Sequence, residues 1–468
     1  MRWTDLKTGL GSFWREFRKV KFGLVGVAFL LLFVVLVIAE PFIIPYSEAS
    51  TRWRDITYWQ DSPKSAQPIW VNWLSPHKRA LTQTLTEPTM TEETLGAMTI
   101  KTATFDYYFL NAAIPPSDVI LHCPMKGAVT FIVSLVRPDG RVIEIAKRPV
   151  RSSGLSDARF SADMESKDAA FSFATSVDTS AGAASVHKAT VKASDVLFGV
   201  AEAGILRNPR PLNGMYQLVM TAYLSSSKDT MGTPYVIVPG RVSGLLGTDE
   251  AKRDLWSGVV VGTKWALIIG LLTSFISVTV GVIYGVVCAY YGGWVDNLMQ
   301  RVFEVFINIP LLPVLIVVSA VLKPNLWFLI LVMSVFFWVG PVKTVRSMAL
   351  QIKEETYIEA ARGLGASHGR IIFKHMIPQL IPYSFASMAL SVPGAIVFES
   401  SISLIGLGDA TVVTWGQILR DAVGGGAVLN GLWWWVVPPG LAIAFMGMTF
   451  AFVGFAMDAI LHPKLRTR

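Results

Sequence analysis

The chain has 468 residues, of which 52% are hydrophobic and 16% charged, with a mean hydropathy of +0.48. Soluble domains carry about 25% charged residues, so this composition excludes an ordinary soluble enzyme, and its apolar excess excludes disorder. Two cysteines, Cys123 and Cys288, exclude a disulfide framework or a cysteine-rich zinc module; a net charge of +8 leaves nucleic acid open until the basic residues are placed.

Leu6, Leu10, Phe13, Trp14 and Phe17 recur at helical spacing, with Lys7, Arg15, Arg18 and Lys19 off that stripe. Residues 1–21 therefore read as an amphipathic helix lying in a membrane interface. Phe22–Ala39 is an unbroken uncharged run, long enough to cross a hydrocarbon core of about 30 Å. Glu40-Pro41-Phe42 follows it rather than a small-residue cleavage site, so residues 22–45 read as a retained first transmembrane helix.

Residues 46–240 change character, with Pro, Ser, Thr, Asp and short β-rich runs. Val129–Val136, the turn Pro138-Asp139-Gly140 and Arg141–Ile145 predict a hairpin. Asp118–His122 and Met215–Leu224 predict further strands, the latter after an Asn213-Gly214 turn. The expectation is an extracytoplasmic β-rich insert, sandwich-like, between the first and second helices. Ser152–Ser194, rich in Ser, Ala and Asp, reads as a long loop. His77, His122 and His187 are too scattered for a metal site, and Trp53, Trp59, Trp70 and Trp73 fit a membrane interface better than a ligand surface.

Uncharged runs resume at Trp265–Val295, Val305–Leu322, Pro324–Val342, Gln379–Phe398 and Ala422–Met457. With the first, they predict an α-helical polytopic membrane protein with six transmembrane helices, since soluble core helices rarely stay uncharged for so long. Residues 241–468 form its core. Basic residues crowd the N-terminus, the 343–379 loop (Lys343, Arg346, Lys353, Arg362, Arg370, Lys374) and the C-terminus (Lys464, Arg466, Arg468). The opposite short loops hold only Lys323 and Arg420. The positive-inside rule places both termini and the 343–379 loop in the cytoplasm, and the +8 charge becomes a topology signal rather than a nucleic-acid one.

The 343–379 loop contains two helical pieces. In the first, Tyr357, Ala361 and Leu364 share a face beside Ala360, and Gly363 and Gly365 end it. Ser367 caps the second, in which Ile371, Ile372, Met376 and Ile377 are apolar, and Pro378 ends the unit. Apolar and small residues presented to the cytoplasm predict a docking surface for another protein.

Glu359-Ala360-Ala361, Gly365 and Met376-Ile377-Pro378 resemble the EAA loop of ABC-importer permeases, with Ile377 where that family usually has leucine. Leu246-Gly247-Thr248-Asp249-Glu250 with Arg253-Asp254 is similar to the family's LGTD-x-x-GRD stretch, with Lys252 in place of glycine. Tyr291-Gly292-Gly293-Trp294-Val295-Asp296, Ile309-Pro310, Ser403–Gly408 and Trp415-Gly416 extend the likeness over residues 245–468. The chain resembles the second permease of the dipeptide/oligopeptide/nickel importers. The resemblance implies a type I ABC importer permease fold in the plasma membrane. It also implies a second homologous permease, two cytoplasmic ATPase subunits and an external substrate-binding protein, with surrounding membrane lipid and no nucleic acid. ATP and Mg would be bound by the ATPases, and Glu359, Ala360, Ala361, Gly365, Met376, Ile377 and Pro378 would dock on them. No cofactor is expected in this chain, which lacks a P-loop: Gly258-Val-Val-Val-Gly262-Thr263-Lys264 has the wrong spacing. It reads as a non-catalytic subunit whose solute, a peptide, oligosaccharide or nickel, is set elsewhere.

Single residues add little. Glu399, deep in the fifth span with Ser400, Ser401 and Ser403 around it, is a candidate pathway or helix-packing residue. Arg301 and Glu304 pair locally at i, i+3, Cys288 packs, and Pro393-Gly394 bends the fifth span. An ion-driven secondary transporter, for which only Glu399 offers a titrating site, and a membrane-anchored receptor built on the outer segment are the competing classes.

Overall fold

The computed structural model describes residues 15–44, 49–96, 98–110, 112–180, 182–322 and 325–461. Leu6, Leu10, Phe13 and Trp14 of the N-terminal stripe, Lys323, and the basic Lys464, Arg466 and Arg468 lie outside the described residues. The chain divides into two units, Met1–Arg54 with Ser257–Arg468, and Asp55–Trp256.

The first unit is helical: α1 (Lys21–Ile43), α2 (Leu255–Tyr291), α3 (Gly293–Asn308), α4 (Leu311–Val321), α5 (Leu326–Phe337), α6 (Val339–Lys353), α7 (Thr356–Gly363), α8 (Ile377–Leu404), α9 (Trp415–Gly424) and α10 (Trp433–Leu461). Five stretches among the described residues are long and apolar enough to cross a membrane: α1, α2, 326–353, 368–404 and 433–460. The straight span expected over Val305–Leu322 is instead broken. Helices α3 and α4 meet at 70°, and a sixth crossing exists only if this bent pair is counted as one. The cause is local: Ile309 is extended ahead of Pro310, as the residue before a proline prefers, and a new helix starts after the ring. The run expected over Ala422–Met457 is likewise divided, because α9 ends at Gly424 and α10 begins at Trp433.

Helix α1 leaves most of its apolar surface uncovered and rests on α10 through small residues. A Cβ built on Gly23 would lie 2.5 Å from Cβ of Ala456, and one on Gly26 would lie 2.9 Å from Cβ of Phe452. Close backbone approach is what packs helices where no water drives them together. Phe29 and Phe33 then meet Phe445 with ring centroids 4.5 and 5.8 Å apart.

The second unit is built on one connected antiparallel sheet of eight strands, β1 (Gln83–Leu85), β2 (Thr89–Leu95), β3 (Met98–Phe109), β4 (Ile120–Val136), β5 (Val142–Arg159), β6 (Gly214–Leu224), β7 (Thr230–Met231) and β8 (Tyr235–Val238). This revises the expected sandwich of separate sheets. Strand β4 is long enough to take β5 along one edge and β8, β7 and β6 in succession along the other. The core contains Phe105, Phe109, Phe131, Phe160, Phe198 and Tyr216, with alternate residues of β4 and β6 turned inward.

Ser152–Ser194 is not a loop, contrary to its composition. Strand β5 runs to Arg159, and a helix over Met164–Val177 buries Ser166, Ala170 and Ala174. Those residues recur every fourth position, so the small side chains form a face that lies close against its neighbours. Arg241–Trp256 also fold with this second unit. There Thr248 Oγ1 donates to the Pro63 carbonyl at 2.6 Å and accepts from Ala66 N–H at 2.9 Å, while buried Asp249 accepts from Arg253 N–H at 2.8 Å and Nε at 2.6 Å. Lys252 closes this turn at φ +68°, which explains why glycine is usual at its place. Its ammonium donates to the Gln60 carbonyl at 2.6 Å, an anchor glycine lacks.

Candidate functional site

The 343–379 segment begins as the end of α6, whose Arg346 pairs with Asp296 through Nε–H to Oδ1 at 2.8 Å and a second bond to Oδ2. Lys353 Nζ donates to the Ala289 carbonyl at 3.2 Å. Helix α7 then carries Glu359, Ala360 and Ala361. It stops in a Schellman turn: Gly365 N–H bonds to the Arg362 carbonyl and Ala366 N–H to the Ala361 carbonyl, both at 3.0 Å. Gly365 sits at φ +79°, a conformation that costs an L side chain roughly 1–2 kcal/mol. Ser367 precedes the second piece, which starts at His368, passes through a π turn over Ile371–Met376 and continues unbroken into α8.

Pro378 therefore does not end the unit. It lies inside the continuous helix just after the π turn, and that widened turn takes up a ring that would collide with a regular preceding turn.

The hairpin is seated by Ile358, Ile371, Ile372 and Met376, all buried in a cluster with Val286, Ala289 and Tyr290 of α2, Val345 and Ala349 of α6, and Leu380. His368 Nδ1 meets Tyr290 Oη at 2.7 Å, and the Arg362 guanidinium lies 5.8 Å from the Tyr290 ring centre. The other side is bare. Leu364 is 89% exposed, and Tyr357, Glu359, Ala360, Gly363, Gly365 and Pro378 are exposed too; Ala361 and Ile377 are half-buried. Partial desolvation, with the Glu355 carboxylate nearby, pushes the Tyr357 phenol up. The motif thus splits into anchoring residues, Met376 among them, and presenting residues. Ile358, Tyr290, His368 and the Asp296–Arg346 pair escaped the sequence reading, although Asp296 ends one of the motifs quoted above.

Glu399, Ser400 and Ser403 occupy a second, enclosed cluster. Glu399 is 3% exposed, and its carboxyl Oε1 accepts from Ser403 Oγ at 2.7 Å and Thr414 Oγ1 at 2.9 Å, with Ser400 Oγ 3.4 Å from Oε2. Thr414 is the N-cap of α9 and was not singled out from the sequence. Arg301 and Glu304 form an exposed ion pair at 2.6 Å, and buried Cys288 lies 3.7 Å from the Met299 sulfur. No group of His, Cys, Asp and Glu fit to hold a metal occurs among the described residues.

Residues 258–467 match the binding-protein-dependent transport system inner membrane component family, and residues 10–63 match the N-terminal transmembrane domain of oligopeptide transport permease C. The dipeptide transport system permease protein DppC of Bacillus subtilis (strain 168) is 35% identical over 230 residues, 49% of this chain and 71% of the relative. The chain belongs to this permease family. The oligopeptide transport system permease protein OppC of Haemophilus influenzae is 33% identical over 221 residues, 47% of this chain and 70% of the relative. An inward-facing structure of the MetNI methionine ABC transporter covers 46% of this chain and 98% of its own at 18% identity and a TM-score of 0.33, too slight a likeness to carry an argument. Membership in the permease family, with several apolar helices, makes this a multi-pass inner-membrane protein. Both the hairpin and the Glu399 cluster fall inside the matched core, whereas residues 64–257 lie outside both family matches.

Proposed function

We propose that the chain is the permease subunit of a binding-protein-dependent peptide importer in which the 356–378 hairpin transmits ATP-driven motion. The observation that carries this is the two-sidedness of the hairpin: Ile358, Ile371, Ile372 and Met376 are buried, while Leu364 and the Glu359-Ala360 edge are left bare. A rigid element anchored on one side and uncovered on the other is built to be pushed. Dipeptide and oligopeptide permeases are its relatives, which favours peptides as solute.

In this reading the termini and hairpin face the cytoplasm, by the positive-inside rule. Two cytoplasmic ATPases bind ATP and Mg and hold the hairpin through Glu359, Ala360, Ala361, Gly365 and the start of α8 at Ile377 and Pro378, while buried Met376 anchors it from the permease side. A second permease completes the pathway, and an external binding protein delivers the solute. The β-rich unit, emerging between α1 and α2, stands on the delivering side and contacts that protein. Nucleotide then shifts the balance between two states by binding one better than the other.

Gly365→Asp tests the coupling role. A Cβ at Gly365 meets nothing within 4 Å, so the change strikes the backbone and the bare surface rather than packing. Expected is loss of ATP-driven peptide uptake in reconstituted vesicles with membrane insertion unchanged. Normal uptake by that variant would sink the assignment.

A further inference from the structure

The second piece of the hairpin and the Glu399 cluster belong to one helix. From His368 to Leu404 the helix is continuous for 37 residues, which puts Glu399 about 40 Å along the axis from the hairpin anchor at Ile371. At that far end the carboxyl of Glu399 receives the Thr414 hydroxyl at 2.9 Å, and the same hydroxyl accepts the Gln417 N–H of α9 at 3.3 Å. Thr414 thus caps α9 while being held by α8. The cap hydroxyl donates to a carboxyl at the positive end of the α9 dipole, so each bond strengthens the other.

Packing reinforces the link. A Cβ on Gly416 would come within 2.7 Å of Ser400 Cα and of Ser403 Cβ, so α9 lies directly on the α8 backbone. Trp415 Nε1 donates to the Val259 carbonyl of α2 at 2.9 Å. Asp409, in the connection between the helices, accepts from Leu326 N–H at the head of α5 at 2.9 Å. Among the described residues the three partners of Glu399 are all hydroxyls and all sit where α8 meets α9.

We infer that Glu399 is a positioning residue that yokes α9 to the far end of the continuous helix through α8, so that displacement of the hairpin reaches α9 at the other end of the pathway. This rests on the permease reading above and gives the buried carboxyl a mechanical role in place of a solute-binding or proton-carrying one. A neutral isostere that keeps the acceptor oxygen preserves the yoke; removing the acceptor, or the Thr414 donor, breaks it.

The test uses the complete importer in lipid nanodiscs, with Cys123 and Cys288 of this chain replaced and spin labels at positions 404 and 423, both exposed at the ends of α8 and α9. Without nucleotide, the 404–423 distance distribution should widen about twofold in Glu399→Ala and in Thr414→Val, and stay as in the parent in Glu399→Gln. In vesicles, Glu399→Ala and Thr414→Val should keep most ATP hydrolysis while peptide uptake falls at least about tenfold, with uptake restored in Glu399→Gln. Unchanged distributions in both disrupting variants would overturn the yoke. So would a Glu399→Gln variant as defective as Glu399→Ala, because the carboxyl would then act through its charge, or a parallel fall of hydrolysis and uptake, the mark of a merely damaged fold. Thr414→Val leaves α8 and its Ser403–Glu399 bond intact, which guards against misfolding of the alanine variant. Absence of ATP-driven uptake in the parent complex would count against the permease reading alone, since the nucleotide-free distances still report the yoke.

Discussion

Ile358→Ala separates the two sides of the hairpin. Ile358 is completely buried in the cluster that seats α7, whereas Leu364, six positions on, is 89% exposed. Cutting Ile358 back to Cβ removes apolar contact and leaves a cavity, at a cost of about 3 kcal/mol. In the seated hairpin that loss lowers the ratio of seated to unseated states by about 100-fold. The reporting amides are Ile358, Leu364 and Ala366, which bond to the carbonyls of Glu355, Ala360 and Ala361 at 2.9, 3.0 and 3.0 Å. Hydrogen exchange in the assembled complex should therefore accelerate at all three together, by roughly that factor, with uptake falling in step. Leu364→Ala should leave exchange unchanged, because an exposed side chain shifts stability by less than about 0.5 kcal/mol, and lose uptake through the docking surface alone. Protection in Ile358→Ala within about threefold of the parent would refute the claim that this side chain seats the hairpin.

Three further outcomes follow from local geometry. Lys252→Ala keeps a left-handed residue, costing roughly 1–2 kcal/mol, and loses the ammonium bond to Gln60, so by thermal melting of the full chain it should be less stable than both the parent and Lys252→Gly; a glycine variant melting below the alanine one would contradict the strain. Asp178 is held well below the usual carboxylate range by the N–H groups of Gly204, Ser180 and Leu206. A depressed native pKa stabilises above the unfolded value of about 3.9 and is lost as pH falls through the native one, so protection of the Gly204 and Leu206 amides, corrected for intrinsic rate, should decline in acid more steeply in the parent than in Asp178→Asn; equal slopes would exclude this carboxylate as the cause. Gly416→Ala drives a methyl into Ser400 and Ser403 and should cost about 1–3 kcal/mol, lowering the melting temperature, whereas Gly424→Ala, whose Cβ meets nothing within 4 Å, should not.

The membrane helices were legible because lipid imposes one rule, an uninterrupted apolar run, that every segment must obey by itself. The insert obeys no such rule. Strand β4 joins two runs that the sequence separates, Asp118–His122 and Val129–Val136, across Pro124 and Gly127. Those residues read as turn punctuation, yet Pro124 falls where the neighbouring strand changes from β8 to β7, and Gly127 bends at φ +100° without ending the strand. Met164–Val177 was unreadable for the opposite reason. Its buried face is Ser166, Ala170 and Ala174, small enough to imitate a loop in composition while forming a helix stripe in space.

The hairpin shows a subtler limit. Spacing tells which side chains share a face, but α7 has apolar residues on both, so periodicity could not decide between the Tyr357–Leu364 face and the one bearing Ile358. Only contact with α2 and α6 settles it, and the α2 residues of that contact lie 68 or more positions before Ile358. The Glu399–Thr414 bond crosses a shorter gap, yet threonine before a helix is already explained as a cap, so nothing in its identity announces a second partner. What the sequence does hold is steric: Gly408 and Gly416 flank Thr414, and a Cβ on either would collide with Ser403. Glycine at both places is required by the closeness of α9 to α8, and that closeness brings the Thr414 hydroxyl within reach of a carboxyl fifteen residues earlier.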